Sequence, residues 1–327
     1  MNSIPALYHP TTLVLVDDDL EYLATFSLTL SDQFKCQLFT DYQDAEQYLS
    51  LHNTWPESFK TRYLQIDYQD LYRFSVNIEI AQIYQEAWNR QRFTRTAILI
   101  VDYDMPGTNG LELARRLKSK LPLKIILLTG EADQQTAIDA FNRGEIDRFL
   151  LKSVPDCSER LAQFVHELQW DFFQELSTAV LEPLISQASH PLQDAHFHSL
   201  FHRILREQEI TEFYLLDESG SFLLLNTEGQ PTWLLVRTLA DMELFYDMAE
   251  MEEPDVPKAF LKALKHRKKI VFLAPQLTTV PPCEEWLVYD ATQLADQEVY
   301  YCIVHGWENR SQINAKVFSY SEFLQGD

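Results

Sequence analysis

Ile98-Leu99-Ile100-Val101-Asp102-Tyr103-Asp104-Met105-Pro106-Gly107 is the stretch on which the reading of this chain turns. An unbroken apolar run ends in a carboxylate and then turns at Pro-Gly. Short apolar runs bounded by turn residues read as strands buried on both faces, as in parallel sheets. In an open α/β sheet, ligands sit outside the carboxyl ends of such strands, which places Asp102 for function. A lone Asp after a strand is more often a helix cap, so its partners matter. Three further segments supply them. Leu13-Val14-Leu15-Val16 ends in Asp17-Asp18-Asp19, Lys124-Ile125-Ile126-Leu127-Leu128 ends in Thr129-Gly130-Glu131, and Ile146-Asp147-Arg148-Phe149-Leu150-Leu151 ends in Lys152. Four strands each deliver polar groups at the same end, with helical patterns between them.

Asp17, Asp18 and Asp102 converge at one sheet edge on this reading. Like charges so placed repel and raise a pKa unless something neutralises them. Carboxylate oxygens suit Mg2+, which takes few protein ligands and completes its shell with water and phosphate. The plain alternative makes these acids caps and surface charges on an ordinary doubly wound sheet.

The four motifs, in this order, resemble the receiver domain of the response regulators of two-component signalling. The resemblance implies a doubly wound parallel five-stranded sheet with Asp102 as phosphoryl acceptor. It also implies that Asp18, Asp102 and the Asp104 backbone carbonyl ligate Mg2+, with Asp17 acting through water. Lys152 and the Thr129 hydroxyl would then bind phosphoryl oxygens, and Phe149 would be the aromatic switch that turns as Thr129 moves inward. Taken by its pattern alone, Phe149 is plain core. The chain departs from the family in two ways. Ser153-Val154-Pro155 follows Lys152 where the family carries proline directly, so the loop after this strand is expected to be shaped differently. Acidic groups, Asp104 and Glu131, also sit two residues after Asp102 and Thr129.

A chain of 327 residues is too long for one such domain. The formal net charge of −22 argues against nonspecific binding to nucleic acid or anionic membranes, because phosphate contact needs clustered Lys and Arg. Cys36, Cys157, Cys283 and Cys302 are scattered without CxxC spacing and read as reduced thiols. The first residues lack a basic segment followed by an apolar one, and no apolar run approaches membrane-spanning length. A cytoplasmic protein is the expectation.

The chain reads as a receiver over 1–155 with an insertion at 51–95, a linker or dimerisation helix over 156–187, and an α+β output domain over 188–327. The first segment follows strand, helix, strand, helix, at Leu13–Val16, about Leu20–Leu30, Cys36–Phe39 and 44–49. In the insertion, Ile80, Ile83, Tyr84, Ala87 and Trp88 make one amphipathic stripe, expected to pack back onto the receiver. A partner-binding stripe is the alternative. Another helix is expected near Gln134–Asn142. From Cys157 to about Val180 the apolar residues keep helical spacing until Pro183 stops or bends the helix. A Phe/Leu stripe of this length favours pairing with a second copy.

Over 188–327 the pattern is a helix near 192–207, strands at 212–216, 222–225 and 233–237, helices at 240–251 and 256–266, and strands at 270–273, 286–289 and Val299–His305. Helices with an antiparallel meander suggest an α+β domain in the manner of a PAS-like fold. This region holds 11 Lys/Arg against 22 Asp/Glu and no helix-turn-helix signature, which argues against direct DNA binding. Lys262, Lys265, His266, Arg267, Lys268 and Lys269 close a helix, where the dipole favours cations. A phosphate or acidic-partner contact is the sharper alternative for them. His190, His196, His198 and His202 cluster locally, and His198 and His202 could chelate a metal, although surface histidines are the simpler reading. No second catalytic motif is evident, so no enzyme activity is expected beyond the receiver's own phosphorylation and weak autophosphatase chemistry.

The receiver, long helix and acidic α+β region together resemble the quorum-sensing response regulators of Legionella. The resemblance implies a response regulator phosphorylated on Asp102 by a histidine kinase or phosphotransfer protein with Mg2+. Its output would not bind DNA and would work through protein contacts or a homodimer. Two alternatives stand beside it: a nucleotide- or ligand-binding output domain, and a pseudo-receiver scaffold that is never phosphorylated.

Overall fold

Strands that must be buried on both faces dictate the first layer. Every residue of Leu13–Val16, Ile98–Asp102 and Lys124–Thr129 is buried. With Cys36–Phe39 and Arg148–Leu151 they form a five-stranded sheet in the order Arg148–Leu151, Lys124–Thr129, Ile98–Asp102, Leu13–Val16, Cys36–Phe39. All four pairings are parallel. The structure, a computed structural model, describes residues 3–53, 64–68, 74–185, 190–252, 255–273, 279–295, 297–306 and 316–326. Two of the expected features reach beyond these: the boundary at 187/188, and residues 54–63 and 69–73 of the 51–95 insertion.

The chain separates into two compact units. The parallel-sheet unit comprises His9–Phe59, Arg90–Leu176 and Phe323–Asp327. Three of its helices start where side chains accept the free N–H groups of a first turn. Asp19 caps Leu20–Leu30, Asp41 caps Tyr42–His52, and Asn109 caps Gly110–Lys118. The Asp41 cap starts the second helix two residues ahead of the expected 44–49. Leu111, Leu113, Ala114 and Leu117 from one helix, and Ala137 and Ala140 from Gln134–Asn142, close over Val14, Val16, Leu99, Val101, Ile125 and Leu127 of the sheet. Strand order reverses between Leu13–Val16 and Ile98–Asp102, which opens a crevice at their carboxyl ends.

The second unit comprises Met1–Tyr8, Lys60–Asn89 and Ser177–Glu322. Its six-stranded sheet runs Leu7–Tyr8, Ile210–Leu215, Phe222–Asn226, Pro231–Thr238, Val299–His305, Thr292–Gln293, antiparallel at each pairing. Ala195–Glu207, capped by Asp194, lays Phe197, Leu200, Phe201 and Ile204 inward, and Phe201 meets Phe213 and Phe222 edge-on or tilted. Leu239–Met251 begins with a capping box between Thr238 and Asp241. It packs with Lys258–Lys265 and the Lys269–Phe272 strand around Leu264, Val271 and Trp286.

Three expectations are corrected. The amphipathic stripe of the insertion is not part of the receiver, because the Ile80–Gln85 helix belongs to the second unit. There Ile83 and Tyr84 of the Ile80–Gln85 helix are buried, and the helix lies against the Ile210–Leu215 strand. The stripe expected as one helix ends at Gln85 and continues as a 3-10 turn, Glu86–Trp88, behind an antiparallel hairpin of Leu64–Tyr68 and Phe74–Ile78. Leu7–Tyr8, ahead of the parallel sheet in the chain, lies in the second unit and pairs with Ile210–Leu215. Finally, Pro183 does not end the long helix, which runs 29 residues over Cys157–Ile185. A proline this close to a helix end removes a single hydrogen bond, which the helix tolerates here. Of its apolar stripe, Leu161, Val165, Leu168 and Phe172 are buried, and Phe164, Leu176 and Ala179 are half-buried.

Candidate functional site

Parallel register brings the polar strand ends together. Val16 pairs with Val101, and Asp102 pairs with Leu128, so Asp17 and Asp102 leave adjacent strands at the crevice. Asp17 and Asp102 are buried, while Asp18 is exposed. Carboxylate oxygens of these three lie within 4.8 Å of one another. Three acids that look alike in sequence have separated roles. The Asp17 Oδ1 accepts from the Asp19 N–H at 3.0 Å, and Asp19 turns away to cap the next helix, accepting from the N–H groups of Glu21 and Tyr22.

Lys152 completes the cluster. Its Nζ donates to Asp17 Oδ2 at 2.7 Å and stands 2.8 Å from Asp102 Oδ1. The strand places it there: Leu151 pairs with Thr129, and the Lys152 N–H donates to the Thr129 carbonyl at 2.9 Å. Burial raises the Asp102 carboxyl above its ordinary range and the neighbouring Asp17 charge adds to this, while Lys152 and the Tyr103 N–H oppose it. Burial works against the Lys152 charge, yet its two carboxylate partners outweigh that and hold its pKa above the usual value. An ammonium shared between two buried acids is the expected answer to their repulsion.

The remaining expected residues fall less directly on the cluster. Thr129 is buried one residue beyond the partner of Asp102, its hydroxyl donating to the Gly130 carbonyl at 3.2 Å. The Asp104 side chain is exposed in a tight antiparallel turn with Asn109 and stays outside the carboxylate group. Phe149 is partly buried against the core and lies edge-on to Phe141, 6.3 Å between ring centres. Ser153, where a proline would stand, donates to Glu131 Oε1 at 3.2 Å, tying the loop after Lys152 to the loop after Thr129.

Two site residues carry no sequence signal that could have found them. A Cβ on Gly110 would lie 1.9 Å from the Asp102 carbonyl oxygen, so this position admits only glycine without a backbone shift. Tyr22, on the first helix, donates its hydroxyl to the Lys152 carbonyl at 3.1 Å and sets its ring 4.6 Å from Nζ.

Elsewhere, two of the four clustered histidines serve the backbone. His190 Nε2 and His198 Nε2 donate to the carbonyls of Glu218 and Leu192. Among the described residues, the group able to hold a metal is Asp17, Asp18 and Asp102, with no histidine in it. The four cysteines are free thiols. Among the described residues no helix is long and apolar enough to cross a membrane.

A parallel sheet with an acid triad and lysine at its switch point defines a class, and comparison with known proteins gives the same class. The family model of the response regulator receiver domain matches residues 68–165. The solved structure of the Legionella pneumophila response regulator LqsR is similar to nearly the whole chain, with 33% sequence identity over 99% of this chain and 96% of that one, at a TM-score of 0.76. The chain belongs to the response-regulator family. An uncharacterised protein from Neptuniibacter caesariensis (22% identity, 50% of this chain, 91% of that one, TM-score 0.34) and the receiver of an HD domain-containing protein from Pseudomonas fluorescens (20%, 51%, 92%, 0.35) are likenesses too slight to bear on function. No curated protein matches the chain.

Proposed function

We propose that this response regulator accepts a phosphoryl group on Asp102 from a histidine kinase or phosphotransfer protein, and that Mg2+ is held at Asp17, Asp18 and Asp102 when it does so. The observation that carries the proposal is the Lys152 ammonium, within 2.8 Å of both Asp17 and Asp102 beside an acid triad. The donor set fits the metal: clustered carboxylate oxygens, two of them from buried residues and one open to water. The Asp104 carbonyl is proposed as a further ligand. Bound Mg2+ would neutralise the charge that gathers on the transferred group.

The residues then divide the work. An Asp102 carboxylate oxygen forms a bond to phosphorus as the bond to the donor's leaving group breaks. Lys152 moves its contact from Asp102 to a phosphoryl oxygen, and the Thr129 hydroxyl leaves Gly130 to donate to another. Phe149, partly buried beside that strand end, is proposed to turn as Thr129 moves.

We further propose that the region over 188–327 signals through protein contacts and not through DNA, that the protein is no classical enzyme, and that it acts in the cytoplasm. Support comes from its net charge of −11 and from the placement of six of its 11 Lys/Arg in residues 258–269, where Arg267 and Lys269 meet Glu243 and Asp290. Homodimer formation belongs to the same reading and is tested by light-scattering mass with and without beryllofluoride. A ligand-binding output is a second reading, favoured by an open polar cavity of about 510 Å³ lined by His266, Arg267, Lys268, Asp290, Gln293 and Tyr300. A thermal-shift screen with nucleotides separates the two.

Incubating the full chain with acetyl phosphate and Mg2+ tests the central proposal. Intact mass is expected to rise by one phosphoryl group, and neither Asp102→Asn nor the metal-free protein should show the gain. An equal gain in Asp102→Asn would reject Asp102 as acceptor, and no gain in the wild type would favour a scaffold.

A further inference from the structure

Tyr22 touches Lys152 at two points. Its hydroxyl donates to the backbone carbonyl, and its ring face stands 4.6 Å from the ammonium. Phe26, one turn along the same helix, braces the ring edge-on with centres 4.8 Å apart. The hydroxyl also lies beside the thiol of Cys157, the first residue of the long helix. One side chain thus fixes the main chain of Lys152 and supports its side chain.

An ammonium carries three N–H donors. Asp17 and Asp102 take two directions, and the Tyr22 ring covers a third. That division matters because the Asp102 contact has to be exchanged for a phosphoryl oxygen. A third carboxylate would compete with the incoming phosphoryl group for the same cation. A π face attracts the cation over its whole area without binding it to one lone pair, so Nζ can pivot while staying at the site. The hydroxyl does complementary work on the backbone. Lys152 is followed by Ser153, which has no ring to fix φ, and the Tyr22 hydroxyl adds a tether to those that Thr129 and Glu131 supply.

We propose that Tyr22 is a positioning residue for Lys152, its ring a support on which the ammonium swings from Asp102 to the phosphoryl group and its hydroxyl the clamp on the lysine's main chain. The proposal rests on the phosphoryl chemistry proposed above. It predicts a separation: metal binding uses Asp17, Asp18 and Asp102 and does not need Tyr22, whereas holding a phosphoryl group does.

Calorimetric titration of the wild-type chain, Tyr22→Phe and Tyr22→Leu with Mg2+ alone, and then with beryllofluoride in saturating Mg2+, tests it. The Mg2+ Kd is expected to be unchanged in all three. Beryllofluoride affinity should fall about tenfold in Tyr22→Leu and roughly threefold in Tyr22→Phe, which keeps the ring and loses the hydroxyl. Equal beryllofluoride affinity in all three would overturn the role of Tyr22 while leaving Asp102 as acceptor. Parallel losses of Mg2+ and beryllofluoride would mean folding damage and would also overturn it. A wild-type chain that binds Mg2+ but no beryllofluoride would sink the phosphoryl chemistry itself, and Tyr22 with it.

Discussion

Lys152 illustrates how much a single residue depends on neighbours that its own segment does not reveal. Its carboxylate partners end other strands, and the tyrosine beneath it comes from a helix 130 positions away in sequence. Gly110 is the complementary case, where the requirement is for an absent side chain. Gly110→Ala sets a methyl against the Asp102 carbonyl and is expected to cost about 3 kcal/mol, read as a lower urea midpoint. One buried histidine leads the pH response. Burial drives His9 well below its ordinary value, helped by Arg95 and Arg92 and opposed by the Pro10 carbonyl, and partial desolvation lowers the surface His166 as well. In the unfolded chain both titrate near 6.5, so below that pH the unfolded state binds more protons and stability falls. Between pH 7.5 and 5.5 the urea midpoint of the parallel-sheet unit should drop, with His9 contributing at most about 1.4 kcal/mol per pH unit. A midpoint that rises on acidification would contradict the neutral burial of His9.

At the scale of elements, caps decide where helices begin and free neighbouring acids for other work. Asp17, Asp18 and Asp19 are indistinguishable by composition, yet Asp19 alone accepts from the first turn of Leu20–Leu30. Asp19→Ala is expected to lower stability by about 1 kcal/mol, measured by chemical denaturation. Strand ends were legible because an apolar run stopping at an acid, a threonine or a lysine is a local pattern. The insertion was less so: Ile80, Ile83 and Tyr84 correctly mark a buried helical face, but periodicity carries no address for the surface that buries it. The Cys157–Ile185 stripe is legible as apolar for the same reason, but spacing does not tell which of its residues the fold buries.

For the whole molecule, the notable feature is how the two units share the chain. Leu7–Tyr8 forms the edge strand of the six-stranded sheet, pairing Leu7 with Tyr214 and Tyr8 with Phe213, and stacking Tyr8 on Phe213 at 5.5 Å. Removing residues 1–8 would leave the backbone groups of Ile210–Leu215 open along a hydrophobic edge, the arrangement that invites strand pairing between molecules. The truncated chain is expected to aggregate at concentrations where the full chain stays monodisperse, as followed by light scattering. An unchanged scattering profile would mean that this strand does not protect the edge.

The sequence alone determined where the receiver strands lie along the chain, their shared polar end and the identity of the acids and lysine, because burial, turns and charge placement at strand ends are written locally. Only the tertiary structure decided that the Ile80–Gln85 helix joins the second unit, which residues along the long apolar helix are buried, and that Tyr22 and Gly110 shape the site around Lys152 and Asp102. The physical reason is that a hydrophobic stripe specifies that it must be covered and not by what, and contacts between distant segments leave no periodic trace in either one.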